Sequence, residues 1–203
     1  MKKKNNIFWI SYSDLTTSLF FIMLVLFVLT TGYLNSVLNT TRTQLKKMKE
    51  LQAAVKELPQ EYFTYQPKYK RFKLNKEIHF DAGSAHIKKK YHAYLKNVGY
   101  SILKLVNNLS NDERYKKFDI KYLIVIEGMA SKDSYKYNYE LSYRRSLALY
   151  RFWKKNNIIF DPKICEVQIA GSGTDGIREF SGADEKKNQQ FLIHIIPKIG
   201  KIE

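Results

Sequence analysis

The sequence predicts a single N-terminal transmembrane helix, a helical linker, and then an α+β domain whose mixed β-sheet carries helices on one face. Three observations support this fold class. Residues 19–29 are eleven consecutive apolar residues inside a longer apolar run. Residues 34–58 space their apolar positions as a helix does, and the remaining chain alternates strand-like and helix-like patterns. The 203 residues suffice for one domain of ordinary size with accessory segments.

Residues 7–33 are predicted to cross the membrane, after a cytoplasmic tail at residues 1–6. The run matches the ~20 residues that are needed to span the hydrocarbon core. Trp9 and Tyr12 at one end, and Tyr33 at the other, are typical of the aromatic belts at membrane interfaces. We therefore expect a single-pass membrane protein.

A cleaved signal peptide is the alternative for this run, since the lysines at positions 2–4 could form its charged start. The apolar region is too long for a signal peptide, no small-residue cleavage pattern follows it, and Asp14 lies inside it. The same lysines favour a cytoplasmic N-terminus, which puts the C-terminal domain on the far side of the membrane.

Asp14 is the candidate site within the span. A carboxylate inside a membrane is costly, so it usually faces a bundle interior or water and serves an ion pathway. Ser11, Thr17 and Ser18 lie three or four residues from Asp14, so the four side chains share one helix face. The alternative is a carboxylate close enough to the interface to stay hydrated. Because one helix cannot enclose a pathway, Asp14 needs partner helices.

The linker, residues 34–71, begins with a helix that carries a weak coiled-coil pattern. Thr41 and Gln44 interrupt its apolar seam, and Pro59 ends it. The pattern favours a parallel homodimer, and the alternative is one amphipathic helix lying on the next domain. The connector at residues 62–72 is expected to be extended. The a and d positions of the seam are Leu34, Val37, Met48, Leu51, Val55 and Leu58.

The C-terminal domain, residues 72–203, has a predicted element order of β-α-β-α-β-β. Apolar alternation or short apolar runs indicate the strands, and apolar residues at helical spacing indicate the helices. This order predicts a mixed sheet with helices packed on one face. The predicted strands are residues 72–80, 120–127, 164–170 and 190–197, and the predicted helices are residues 88–109 and 139–156.

Catalytic and metal-binding motifs are not evident in the sequence. There is no HExxH, GxSxG or Walker loop, and the four histidines lack metal-ligand spacing. We expect that the protein is not an enzyme and needs no cofactor. The lone Cys165 lies in an apolar stretch and is expected to be a small core residue.

The net charge of +16 suggests a polyanionic partner, or a surface that keeps the domain soluble. A membrane-anchored binder of nucleic acid is one reading of this charge. The aromatic residues are not arranged as a base-stacking platform, so no nucleic-acid partner is expected.

Two segments resemble MotB-type stator subunits with OmpA-like domains. Residues 8–17 (FWISYSDLTT) resemble the signature at which the MotB span begins, with tryptophan and tyrosine ahead of an aspartate. Residues 78–85 (IHFDAGSA) resemble the opening strand and turn of an OmpA-like domain. The core and later positions of that domain are matched by Ile126-Glu127-Gly128, Asn138, Leu141-Ser142, Arg145-Ser146, Gly171-Ser172-Gly173 and Asn188.

The resemblance implies a peptidoglycan-binding site at Arg145, Asp133, Ser131 and Asn138. In the family, an aspartate and an arginine grip diaminopimelate, an acid for the ammonium and a guanidinium fork for the carboxylate. Here Ser131 stands at the acid position and Asp133 is the candidate replacement, while Gln189 and Gln190 stand where the family has arginines. Peptidoglycan binding is therefore expected to be weak, and an ordinary surface role for Arg145 is the alternative.

The resemblance also implies a function: the ion-channel and cell-wall-anchor subunit of a proton- or sodium-driven rotary motor in the bacterial inner membrane. Two copies would sit inside a pentamer of MotA-like multi-span subunits, with Asp14 carrying H+ or Na+ and the C-terminal domain in the periplasm. Within the superfamily, the sequence looks most similar to the B subunit of the Zorya anti-phage defence motor. A flagellar-type stator subunit and a static membrane-to-peptidoglycan tether without ion conduction are the alternatives.

Overall fold

The chain folds into one long helix followed by a five-stranded α+β unit. A computed structural model describes residues 3–115 and 120–199. It divides into two compact units, residues 1–47 and 48–203. The helices are α1 (Lys3–Val55), α2 (His92–Asn111) and α3 (Asn138–Lys155), with 3-10 turns at Lys89–Tyr91 and Gly182–Asn188. The strands are β1 (Phe63–Gln66), β2 (Arg71–Leu74), β3 (Ile120–Gly128), β4 (Cys165–Gly171) and β5 (Phe191–Ile199).

The first unit is the N-terminal part of α1, and its apolar side chains have no cover. Every large apolar side chain from Phe8 to Leu29 is exposed. The helix is long and apolar enough to cross a membrane. Because no described residue shields this surface, it requires lipid or partner helices.

The sheet of the second unit is mixed, with strand order β1-β2-β5-β3-β4. Strand β3 lies between β4, which is parallel to it, and β5, which is antiparallel. Side chains alternate along β3, and Tyr122, Ile124 and Ile126 are buried on the face that α2 and α3 cover. The predicted mixed sheet with helices on one face is confirmed.

The end of α1 belongs to the core of the second unit, which corrects the coiled-coil prediction for this stretch. Leu51 is 0% exposed, and Val55 and Leu58 are buried with it in the same apolar cluster as the sheet. Their seam is therefore covered within the chain and is not free to meet a second copy. The compact unit also begins at residue 48, whereas the sequence placed the domain boundary at residue 72.

A second correction concerns residues 62–80. The predicted extended connector is a hairpin, in which β1 pairs antiparallel with β2 and Phe63 faces Leu74. The predicted strand at 72–80 stops at Leu74, because Asn75 turns the chain. Its side-chain amide donates to the Gln60 carbonyl at 2.6 Å, and its oxygen accepts from Thr64 at 2.6 Å. The sheet therefore has five strands rather than the predicted four.

Helix α3 lies unusually close to the ends of β3 and β4, and this closeness positions the candidate site. A Cβ at Gly128 would lie 2.3 Å from the Ser142 carbonyl oxygen, and one at Gly171 would lie 2.4 Å from the Tyr143 nitrogen. Small hydroxyl residues fill the contact, since Ser146 donates to the Ala170 carbonyl at 2.7 Å. The pattern of small residues on helix and strands thus fixes the height of α3 above the sheet.

Replacing Gly128 with alanine should lower the free energy of unfolding by about 3 kcal/mol, the upper range for overpacking a fitted contact. The measurement is denaturation of the full chain in detergent. Gly182→Ala is the control, because Gly182 has a φ of +61° but open space at its Cβ. It should cost only the left-handed backbone strain, about 1 kcal/mol. Equal losses in the two variants would contradict the close contact.

Candidate functional site

A cleft of about 310 Å³ opens at the N-terminal end of α3. Four segments form it: residues 79–83, the loop after β3, the first two turns of α3, and residues 186–189 before β5. Asn138, Leu141 and Arg145 share one face of α3, since they are three, four and seven residues apart. All four residues implied by the resemblance line this cleft: Arg145, Asp133, Ser131 and Asn138.

Arg145 is held firmly in the cleft, but one of its guanidinium nitrogens lacks a hydrogen-bond partner among the described residues. Its residue is 3% exposed, its guanidinium carbon lies 4.6 Å from the Phe80 ring centre, and its Nε donates to the Ser84 carbonyl at 3.1 Å. Its Nη1 is buried and has no hydrogen-bond partner among the described residues. Burial lowers the pKa of Arg145 against the opposing effect of the Asp133 charge. A buried unpaired donor is costly, so an anionic ligand would be stabilised here.

Asp133 is the carboxylate of the cleft, and its orientation is fixed by three donors. Asn138 donates to Oδ1 at 2.9 Å, the Tyr135 backbone N–H donates to Oδ1 at 3.0 Å, and the Ser131 hydroxyl donates to Oδ2 at 2.9 Å. The Asn138 hydrogen bond is the main cause that lowers the pKa of Asp133. The carboxylate is exposed and therefore charged at neutral pH and open to a cation.

Ser131 is buried and helps to hold the Asp133 carboxylate. Its hydroxyl accepts from the Gln189 amide at 2.8 Å while it donates to Asp133. Gln189 and Lys186 also line the cleft.

Gln190 and Asn188 lie outside the cleft. Gln190 is not a lining residue; its amide donates to Glu179 at 3.4 Å. Asn188 is fully buried, accepts from the backbone N–H groups of Glu179 and Phe180, and donates to the Phe180 carbonyl. Asn188 therefore holds the loop before β5 and does not face a ligand.

The charges of the cleft are arranged to bind a zwitterion. Arg145 and Asp133 interact electrostatically, yet no direct ion pair joins them within the described residues. The cleft thus offers a guanidinium donor at Arg145 and a carboxylate acceptor at Asp133. An amino-acid head group, with its carboxylate at Arg145 and its ammonium at Asp133, satisfies both.

The candidate ion-pathway residues lie together on α1. Ser11, Asp14, Thr17 and Ser18 are all exposed, and the helix is continuous through them. The Thr17 hydroxyl donates to the Ser13 carbonyl at 2.8 Å. Asp14 makes no hydrogen bond or ion pair with any described residue. The role of this carboxylate in an ion pathway stays a prediction.

A second polar cluster lies on the face of the sheet opposite the helices, and no local sequence pattern indicates it. The Glu127 carboxylate accepts from the His194 Nε2 at 2.7 Å and from the Ser172 hydroxyl. Burial alone would raise the pKa of Glu127, but these hydrogen bonds and the charge of Arg71 outweigh it, so the pKa lies below its ordinary value. The three residues come from β3, β5 and the turn after β4, so only the folded chain brings them together.

This cluster should make folding stability depend on acid pH. A carboxyl with a depressed pKa contributes stability that is complete above its ordinary pKa of about 4.3 and is lost as the pH falls through the folded-state pKa. Glu127→Gln should therefore destabilise the protein at pH 7 and converge with the unaltered protein at acid pH. Chemical denaturation across that range measures the difference. A gap between the two proteins that stays constant with pH would contradict the assignment.

Within residues 3–115 and 120–199, no group of three or more histidine, cysteine, aspartate or glutamate side chains could hold a metal ion. Cys165 is buried in the core, and burial raises the pKa of its thiol to about 12. The thiol is therefore protonated and unreactive at neutral pH.

Comparisons with known proteins concern the fold. No protein-family model matches the sequence, and no curated protein matches it. The chain is similar to the periplasmic domain of Helicobacter pylori MotB, at 13% identity and a TM-score of 0.44, covering 68% of this chain and 89% of that one. It is similar to a MotB-like protein from Desulfovibrio vulgaris, at 13% identity and a TM-score of 0.44, covering 76% and 93%. It is also similar to an outer membrane protein from Borrelia burgdorferi B31, at 18% identity and a TM-score of 0.42. The match covers 66% of this chain and 96% of that one.

Proposed function

We propose that this chain is the ion-channel and cell-wall-anchor subunit of a MotAB-like rotary motor in the bacterial inner membrane. Two copies place α1 in the pore of a pentamer of MotA-like multi-span subunits, and the second unit holds the pair to peptidoglycan in the periplasm. The observation that carries the proposal is Asp14, an unpartnered carboxylate on an apolar helix that no described residue covers. Such a carboxylate is costly unless it serves an ion pathway.

The proposed ion step is a change of charge at Asp14. Binding of H+ or Na+ neutralises the carboxylate, and its release restores the charge, which alters how the helix fits a surrounding ring of partner helices. Ser11, Thr17 and Ser18 place hydroxyl oxygens on the same face, where they can relay a proton or coordinate sodium. Repeated cycles would turn the ring against the anchored pair.

The proposed anchor is the cleft of Arg145 and Asp133. The diaminopimelate of a peptidoglycan stem carries a free amino-acid head group, which is the zwitterion that this pair of charges fits. Its carboxylate would satisfy the buried Nη1 of Arg145, and its ammonium would lie against Asp133. Asp133, held by Ser131 and Asn138, takes the acid role that the family gives to the position of Ser131.

A static tether between membrane and peptidoglycan is the second candidate, because the cleft alone supports anchoring without conduction. For the motor, the downstream task is phage defence, as in Zorya-like systems, or flagellar rotation. Co-expression with a MotA-like multi-span protein, followed by reconstitution in liposomes, separates the two candidates. The motor requires ion flux that appears only when both subunits are present. A chain that binds sacculi but never associates with a multi-span protein would be a tether.

The two-copy arrangement predicts that two copies can be cross-linked at the N-terminal part of the apolar seam of α1. Val37 is 42% exposed and belongs to the part of the seam that lies in the first unit. A cysteine at Val37 should link copy to copy in membranes under oxidation, whereas a cysteine at Leu51 should not, because Leu51 is fully buried in its own domain. The native Cys165 will not compete, since it is buried. Equal cross-linking at both positions, or none at Val37, would contradict the dimer.

A further inference from the structure

A second concave surface runs along the outer side of α3, separate from the cleft. It is a groove of about 640 Å³ between α3 and the segment that leads into α2. Its floor is apolar, formed by Ile87, Leu147, Ala148 and Phe152, with His92 packed on Phe152 at a ring distance of 4.9 Å. The proposed function makes no use of this groove.

The rim of the groove is cationic and unpaired. Arg144, Arg151 and Lys155 line it, and all three are exposed. None of them forms an ion pair or hydrogen bond with a described residue. The rim therefore presents three free positive charges above an apolar floor.

The charges are spread along the helix and are not gathered at one point. At 1.5 Å per residue, Arg144 and Arg151 are about 10 Å apart along the helix axis, and Arg144 and Lys155 are about 16 Å apart. A single lipid headgroup concentrates its charge within a few ångströms, so it would meet only one of them. A polyphosphate could reach all three but would leave the apolar floor exposed to water.

The groove and the cleft are distinct sites. The hydrogen bond from the Arg145 Nε to the Ser84 carbonyl ties α3 to the segment that borders both. Gly83 on one side of Ser84 lines the cleft, and Ala85 on the other side lines the groove. Arg145 belongs to the cleft, and its neighbour Arg144 belongs to the groove.

We propose that this groove docks an amphipathic, acidic helix of a partner protein. An apolar stripe of that helix packs on Leu147 and Phe152, and carboxylates on its flank form charge-assisted hydrogen bonds with Arg144 and Arg151. A second copy of this chain is a poor occupant, because each copy carries a net charge of +16. The inference is independent of ion conduction and of peptidoglycan binding.

The test uses a fluorescein-labelled peptide of about 18 residues, long enough to cover the groove as a helix, with leucines on one face and glutamates on the flanks. Anisotropy is measured against the full chain in nanodiscs of zwitterionic lipid at about 0.15 M salt, where long-range attraction is screened. Reversing both rim arginines, Arg144→Glu with Arg151→Glu, should weaken binding by at least about tenfold. Leu147→Asp should also weaken it.

The charge-matched control is Lys96→Glu with Lys104→Glu, a double reversal of two exposed lysines on α2 that do not line the groove. It should leave the peptide affinity unchanged. Thermal unfolding confirms that each variant is folded. The proposal is overturned if a scrambled peptide of the same composition binds equally well, or if the double lysine reversal weakens binding as much as the double arginine reversal. Polyphosphate or anionic vesicles that compete fully with the peptide would likewise overturn it.

Discussion

Replacing Arg145 with alanine should lower the affinity of the protein for purified sacculi by about tenfold to a hundredfold, the range for losing a hydrogen bond to a charged group in a desolvated site. The side chain is 3% exposed, and its Nη1 is the only nitrogen of the cleft left buried without a partner within the described residues. Sedimentation with sacculi at about 0.3 M salt measures the affinity, since salt screens the non-specific attraction of a basic protein.

The controls separate recognition from charge and from folding. Lys104→Gln removes one positive charge from an exposed position and should not reduce sedimentation. Arg145→Lys keeps the charge but loses the planar fork, so it should recover binding only in part. Asp133→Asn keeps the size of the side chain and removes the partner for an ammonium, so it should weaken binding without loss of fold. Unchanged sedimentation of both Arg145→Ala and Asp133→Asn would show that the cleft is not the anchor.

The family resemblance implied the four polar residues of the cleft, which all lie within residues 131–145. Asn138, Leu141 and Arg145 lie on one helix face whatever surrounds the helix, and Asp133 lies only five residues before Asn138. The role of Ser131 was not predictable in the same way. Its service to Asp133 depends on Gln189, which reaches it from 58 residues away.

The coiled-coil prediction was wrong for Leu51, Val55 and Leu58 for a physical reason. An apolar seam on a helix has the same spacing whether it packs on a second copy or on its own domain. The sequence was compatible with both a coiled coil and a helix packed on its own domain. The structure places these three side chains in the domain core. Only Leu34 and Val37 keep exposed seam positions, so the dimer prediction now rests on them.

Short strands and long-range polar pairs account for the other differences. Strands β1 and β2 have four residues each, too few for alternation to stand out beside Pro67 and a run of tyrosine and lysine. The Glu127–His194 pair joins residues that are 67 positions apart in the sequence. The register between β3 and β5 brings them together, so no local sequence pattern indicates the pair.

A second large effect, on ion flux, is expected from replacing Asp14. Replacing it with asparagine keeps size and shape but removes the group whose charge changes on ion binding. The assembly should still form, because an amide is cheaper inside a membrane than a carboxylate. Ion flux and the downstream phenotype should both disappear. Asp14→Glu keeps the carboxylate about one methylene out of place and should retain part of the function.

A structural role for Asp14 predicts the opposite pattern, since asparagine would preserve most hydrogen bonds. The decisive measurement is therefore ion flux through the complex of Asp14→Asn with its multi-span partner, at verified normal levels of both proteins. The account predicts an assembled complex with no flux above that of empty liposomes, beside an active unaltered complex. Full flux through the assembled Asp14→Asn complex would contradict the ion pathway and leave the chain a static tether.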